Sequence, residues 1–335
     1  MKTLLNTQDH YNLSPMAYPW AFEAYKQARK NFWDPEQINM GRDLSSFQTL
    51  TPAEKEMFLD VFATLTTSDL AIQENLALRV YETITPPEVR LWLGHQLADE
   101  SLHSYSYQHI IECLSLDDAS VYRRYQERPY ILKKFKLGNE YAKYIHSADP
   151  ADKVLAIAFF YLCWEGLWFY HGFTPIFALG RKGKMPGTCE QLQYIAKDEV
   201  THFTFGIKLV NALIDETGLR GDPELRDQLR WMFEKMENAE WEYADKGIGA
   251  VTGYSALTHI EHTRYLIDVR LQQIGLSKMY SSKEPPIPWL AEMIETRKEK
   301  NFFETHVTEY QTGNNLVFEL NSMEDIGDWQ NAEQQ

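Results

Sequence analysis

Residues 99–107, DESLHSYSY, and residues 196–205, AKDEVTHFTF, decide how this chain is read. Each carries Glu-x-x-His, Glu100 with His103 and Glu199 with His202, inside a segment of helical character. Side chains three apart on a helix share a face, so each pair presents a carboxylate and an imidazole in the same direction. Two such pairs, with one further inward carboxylate from each of two other helices, are the ligand set of a dinuclear metal site in a four-helix bundle. The pattern predicts an all-α chain and sets the search for two more carboxylates.

The third is Glu165. It stands within residues 154–170, VLAIAFFYLCWEGLWFY, a stretch otherwise almost wholly apolar. That stretch is at the short limit for a membrane span and has a carboxylate inside it, so a membrane role is set aside. A helix apolar on every side is the expected central helix of a large bundle. The fourth carboxylate is expected on the helix before Glu100, where Asp69 in LTTSDLAIQENL is best placed. Glu74, beside Gln73 and Asn75, is predicted to be solvated. His259 and His262 look similar to the two pairs but lack a matching carboxylate set, and packing or surface hydrogen bonding is the expected role.

The punctuation between these segments is helical. Thr51-Pro52-Ala53-Glu54 combines an N-cap, a proline at the first helical position and a capping-box glutamate, and Thr85-Pro86-Pro87-Glu88 is read as the same device. Asp149-Pro150 opens the apolar helix, and Pro186-Gly187 precedes one running from about Cys189. Further helices are expected over 223–243, 257–274 and 289–299, with a short hairpin near 302–307. No linker, repeat or low-complexity tract divides the 335 residues, so residues 1–300 are read as one domain. No Lys or Arg follows Lys300, and residues 301–335 are read as a C-terminal segment that becomes a flexible tail from Glu309, with apolar anchors such as Ile326 and Trp329.

A net charge of −15 argues against nucleic acid, which demands basic surface. Cys113, Cys163 and Cys189 are odd in number and scattered, and the start MKTLLNTQDHYNL lacks an apolar leader. Both point to reduced thiols in a cytoplasm.

Over nearly its whole length the chain resembles the small (β) subunit of class I ribonucleotide reductase, a ferritin-like helical bundle. The motifs that carry the resemblance are NFWDPE, DESLHSYSYQHI, CWEGLWFYHGF, IAKDEVTHF and FFETHVTEYQTG, in the family's order and spacing. The resemblance implies metal ligands at Asp69, Glu100 and His103 for one ion and at Glu165, Glu199 and His202 for the other. It implies a stable radical at Tyr107, one turn beyond His103, with Asp69 receiving its proton, and an apolar pocket of Phe169, Phe173 and Ile195 around it. Trp33, His103 and Asp198 would begin a long-range radical path that Tyr310 continues in the tail.

The implied activity is to hold a one-electron hole, on Tyr107 or on the metals, and pass it to a large (α) subunit that reduces ribonucleotides to deoxyribonucleotides. The implied cofactor is two Fe or two Mn per chain, with Fe favoured. The implied assembly is a homodimer whose tail docks the large subunit, and a flavoprotein activator is a further partner the family admits. Two rivals use the same scaffold, a ligand-binding oxidase and a ferritin-like metal-binding protein. Neither needs Tyr107 and Tyr310 in these contexts.

Overall fold

In the computed structural model the described residues are 3–7, 10–248 and 253–295, and among them the regular structure is helical. The principal helices are α1 (Pro19–Ala28), α2 (Asp43–Thr49), α3 (Pro52–Asn75), α4 (Pro87–Cys113), α5 (Asp118–Glu127), α6 (Pro129–Ala142), α7 (Pro150–Gly180), α8 (Pro186–Glu216), α9 (Pro223–Tyr243), α10 (Ala256–Gln273) and α11 (Pro288–Glu295).

Four of them form the centre. Helix α3 packs on α4 and on α7, α7 packs on α8, and α8 returns to α4. Around this ring α1 lies on α4 and α8, α5 on α3, α9 on α6 and α10, and α11 on α7 and α8. The apolar run is α7. It is long and apolar enough to cross a membrane, and its most apolar window is wholly buried within the protein. Its middle, Phe159–Trp168, is wound as a π-helix, which is uncommon and frequent at functional sites. Close approach of α7 and α8 depends on Gly206, where a Cβ would fall inside the Tyr161 ring.

Helix starts follow local chemistry where the chain supplies it. The Thr51 hydroxyl accepts from the Glu54 N–H and the Glu54 carboxylate accepts from the Thr51 N–H, closing the capping box. Asp149, Asp222 and Ser255 cap α7, α9 and α10 through their own side chains. Two starts depart from the sequence reading. Helix α4 begins at Pro87 with no side-chain cap. The Thr85 hydroxyl instead donates to the Leu4 carbonyl, and Glu88 accepts from the Ala17 and Tyr18 N–H groups. Helix α8 begins at Pro186 rather than near Cys189, because Asp43 from α2 accepts from the Gly187 and Thr188 N–H groups at 2.8 and 2.7 Å. Both are long-range partnerships with no local signature.

The sequence reading does not include helices α1, α2, α5 and α6; α5 is short and rich in charge, with few apolar residues to mark it. The expected hairpin at 302–307, the end of the 289–299 helix, the boundary at residue 300 and the tail lie outside the described residues.

Glu54 also binds Lys184, at 2.8 Å. Burial opposes its charge, but the Lys184 ammonium and the Thr51 N–H outweigh burial and hold its carboxyl below the ordinary value. A depressed folded-state pKa gives stability that is present above the unfolded value and lost as pH falls through the folded one. Glu54→Gln is therefore expected to cost about 1 kcal/mol in urea unfolding at pH 7. The difference from wild type should shrink as pH falls below about 4.3.

Candidate metal centre

The four central helices each send carboxylates or imidazoles to one buried point. Asp69 comes from α3, Glu100 and His103 from α4, Glu165 from the π segment of α7, and Glu199 and His202 from α8; all six are fully buried. One ligand atom each from Asp69, Glu100 and His103 lies within 4.8 Å of the others, and the same holds for Glu100, Glu165, Glu199 and His202.

Two glutamates straddle both imidazoles. Glu100 places Oε2 3.3 Å from His103 Nδ1 and Oε1 3.2 Å from His202 Nδ1. Glu199 does likewise, with Oε1 3.2 Å from His103 Nδ1 and Oε2 3.3 Å from His202 Nδ1. Atoms that share one ion at bonds of roughly 2.0–2.2 Å lie about 3 Å apart, so these spacings suit a cation between them. Both oxygens of Asp69, Glu100 Oε2, His103 Nδ1, Glu165 Oε2 and Glu199 Oε1 are buried without a hydrogen-bond partner. Buried polar atoms are normally satisfied, and carboxylate oxygens with imidazole nitrogens are the donors that Fe and Mn take. The residues therefore fit two such ions.

Electrostatics describe the same crowding. Burial and the neighbouring Glu100 push Asp69 well up, and burial with Glu199 and Glu100 does so for Glu165. Burial opposes charge on both imidazoles, yet Asp198, Glu100 and Glu199 lift His103, and Glu100 and Glu199 lift His202. Glu199 goes the other way, because the two imidazoles outweigh its burial.

Beyond the cluster the two imidazoles are held from behind in a crossed fashion. His103 Nε2 meets Asp198 Oδ2 at 3.5 Å, and His202 Nε2 meets Asp99 Oδ2 at 3.2 Å. The aspartate preceding each glutamate thus supports the histidine of the opposite motif. Such partners fix tautomer and ring orientation. Asp198 also accepts from Trp33 Nε1 at 2.7 Å and from Asn31 Nδ2 at 3.0 Å. Trp33 stacks on Tyr194 with centroids 5.3 Å apart. Gln96 donates to Glu165 Oε1 at 2.8 Å and accepts from the Tyr161 hydroxyl.

Tyr107 is fully buried, and its hydroxyl has no hydrogen-bond partner. Burial and then Asp69 raise its pKa, so Asp69 is the first charged group acting on it. Phe62 packs edge-on against its ring, 6.1 Å between centroids. Phe169, Phe173 and Ile195 are buried in the same core, the two phenylalanines stacked on each other. Tyr105 is exposed and hydrogen-bonds Glu36 instead. Glu74 is exposed beside Arg79. Tyr310 lies outside the described residues.

Asp99, Gln96 and Phe62 were not found from sequence, although Asp99 had a signal. The full repeat is Asp-Glu-x-x-His, and Asp99 occupies the position of Asp198. His259 and His262 need correction. Both are buried, and a carboxylate does serve His259: Glu240 Oε1 lies 2.6 Å from its Nε2, with Lys134 Nζ 2.9 Å from Glu240 Oε2. Glu240 comes from α9, too distant in sequence to be paired by spacing. The 2.6 Å contact is a hydrogen bond, too short for two ligands of one ion, and Lys134 already supplies the positive charge.

The model of the family described as "Ribonucleotide reductase, small chain" matches residues 10–286. The chain belongs to the ribonucleotide reductase small-chain family. This small chain is 34% identical to the ribonucleoside-diphosphate reductase subunit beta of Chlamydia pneumoniae, over 93% of each chain. Among solved structures it superposes on the ribonucleotide reductase R2 subunit of Clostridium botulinum with TM-score 0.82 and 26% identity, covering 88% of this small chain and 94% of that one. The Rnr4 homodimer structure from Saccharomyces cerevisiae shares the fold, at TM-score 0.73 and 20% identity over 90% and 92% of the chains. Membership makes this the small subunit of a class I ribonucleoside-diphosphate reductase, with a dinuclear metal site, rather than an oxidase or a storage protein.

Asp99→Asn is expected to weaken the second metal ion's binding by roughly 10- to 100-fold in a direct titration, as partners behind a ligand do. Asp198→Asn should weaken the first by a similar factor. Unchanged affinity in both would show that the crossed contacts are incidental.

Proposed function

We propose that this small subunit binds two iron ions, stores a one-electron hole as a radical on Tyr107, and delivers it along Asp198 and Trp33 to a large subunit. Asp69, Glu100 and His103 would hold one ion and Glu165, Glu199 and His202 the other. The observation that carries the reading is the set of buried donor atoms left unsatisfied around two glutamates that face both imidazoles. When bound and oxidised by an external oxidant, the ion pair would supply the oxidising power for removing one electron from a nearby phenol.

The protein's own residues then set the outcome. A phenol whose pKa is held above the ordinary ~10 must give up its proton with the electron, and Asp69 is the carboxylate acting on Tyr107. Burial of Tyr107 against Phe62, within the core that holds Phe169, Phe173 and Ile195, excludes water and reductants. Asp198 holds His103 on one side and the Trp33 indole N–H on the other, giving a continuous polar link from the cluster to an aromatic pair. Tyr310 and the tail from residue 301 would continue the path and dock the large subunit. A homodimer and a cytoplasmic setting accompany this reading.

Apoprotein reloaded separately with Fe(II) and Mn(II), then exposed to oxidant, is expected to give a tyrosyl EPR signal with Fe that Tyr107→Phe abolishes. A coupled metal signal surviving in that variant would place the hole on the metals; a signal only with Mn would replace iron. Trp33→Phe should keep the radical yet lose turnover with the large subunit. Deleting residues 316–335 should sharply reduce large-subunit affinity, and unchanged binding would remove the tail from the docking role.

A further inference from the structure

Three Lys or Arg side chains are buried among the described residues. Arg124 lies 2.8 Å from Asp60 and Lys134 lies 2.9 Å from Glu240. Arg270 has no carboxylate. Its Nε and Nη2 donate to the Gly166 carbonyl at 3.2 and 2.9 Å, its Nη1 donates to Gln273 Oε1 at 3.0 Å, and its guanidinium lies 4.1 Å from the centre of the Phe203 ring. These are neutral partners, and the guanidinium has more N–H donors than the three contacts use. Burial pulls its pKa down only to about 10, so it is charged at neutral pH. A buried charge without a counter-charge is costly and calls for a partner.

The place for one exists. A cavity of about 20 Å³ lies between α7, α8, α10 and α11, lined by Arg270, Tyr170, His262, Phe203, Leu266 and Ile294. That is room for a single water-sized body. The Tyr170 hydroxyl and His262 Nδ1 are both buried without a hydrogen-bond partner. A phenol O–H and spare guanidinium N–H groups are donors, the His262 Nδ1 joins them when it carries the ring proton, and one full positive charge lies among them. Such a lining repels cations, and so small a space favours a monatomic anion over a larger one.

We propose that Arg270, Tyr170 and His262 form a binding site for one small monoanion of chloride size, distinct from the metal ligands. The occupant completes the charge balance of the α7–α10 contact. The site would make this protein's stability depend on which anion is present.

The full chain crystallised with bromide replacing chloride, and measured near the bromine absorption edge, gives the direct readout. An anomalous peak beside Arg270 is expected, together with a higher Tm in bromide than in gluconate at equal ionic strength. Arg270→Gln should abolish both. Tyr170→Phe, which keeps the ring, should weaken apparent bromide affinity by about tenfold or more. Should Arg270→Gln fail to fold, Tyr170→Phe decides alone. Density without anomalous signal means a water and overturns the proposal, as does equal Tm in the two salts. A peak unchanged in the folded variants means an adventitious ion only and also overturns it.

Discussion

Everything in this fold answers to the placing of four carboxylates and two imidazoles where water cannot reach. Charges of one sign at such spacing repel strongly in a low-dielectric interior, and burying any of them alone is costly. The crowding is visible in Asp69 and Glu165, whose carboxyls are driven up, and in Glu199, which two imidazoles hold down. The scaffold must be stable enough elsewhere to carry that cost. It does so with an apolar, ring-rich interior and with long helices whose backbone groups satisfy one another internally.

A comparison within the molecule shows what sets the cluster apart. His171, Glu240 and His259 also converge in the core. There, however, Lys134 provides a positive charge, the Tyr254 hydroxyl meets His259 Nδ1 at 2.6 Å, and Thr263 Oγ1 lies 3.3 Å from His171 Nε2. Burial drives both imidazoles down, so they are neutral. That group carries its own counter-charge. The cluster at Glu100 and Glu199 does not, and its shared oxygens stand a cation's width from each imidazole. Two buried groups of similar composition thus have opposite requirements, decided by one lysine and a few tenths of an ångström.

Much of this was legible in the chain. The period and caps of α3, α7 and α9 follow from residues next to one another, and the two Glu-x-x-His pairs with Asp69 and Glu165 meet as their helical faces direct. The failures have one physical character. Asp43 capping α8, Glu88 holding the Ala17–Tyr18 turn, and Glu240 serving His259 are contacts between segments far apart in sequence, and neither period nor cap reveals them. Asp99 is different. Its partner is remote, but the doubled Asp-Glu-x-x-His repeat displays it.

The crossed aspartates have a mechanical consequence. Asp99 and the glutamate beside it belong to α4 while the ring Asp99 grips belongs to α8, and Asp198 repeats the arrangement in reverse. Sliding one helix past the other by a single residue's rise, about 1.5 Å, displaces both contacts together along with both glutamates that face the two imidazoles. The pair therefore acts as a shear lock. It keeps the two halves of the centre in register as one unit, so a disturbance entering at either helix is felt at both.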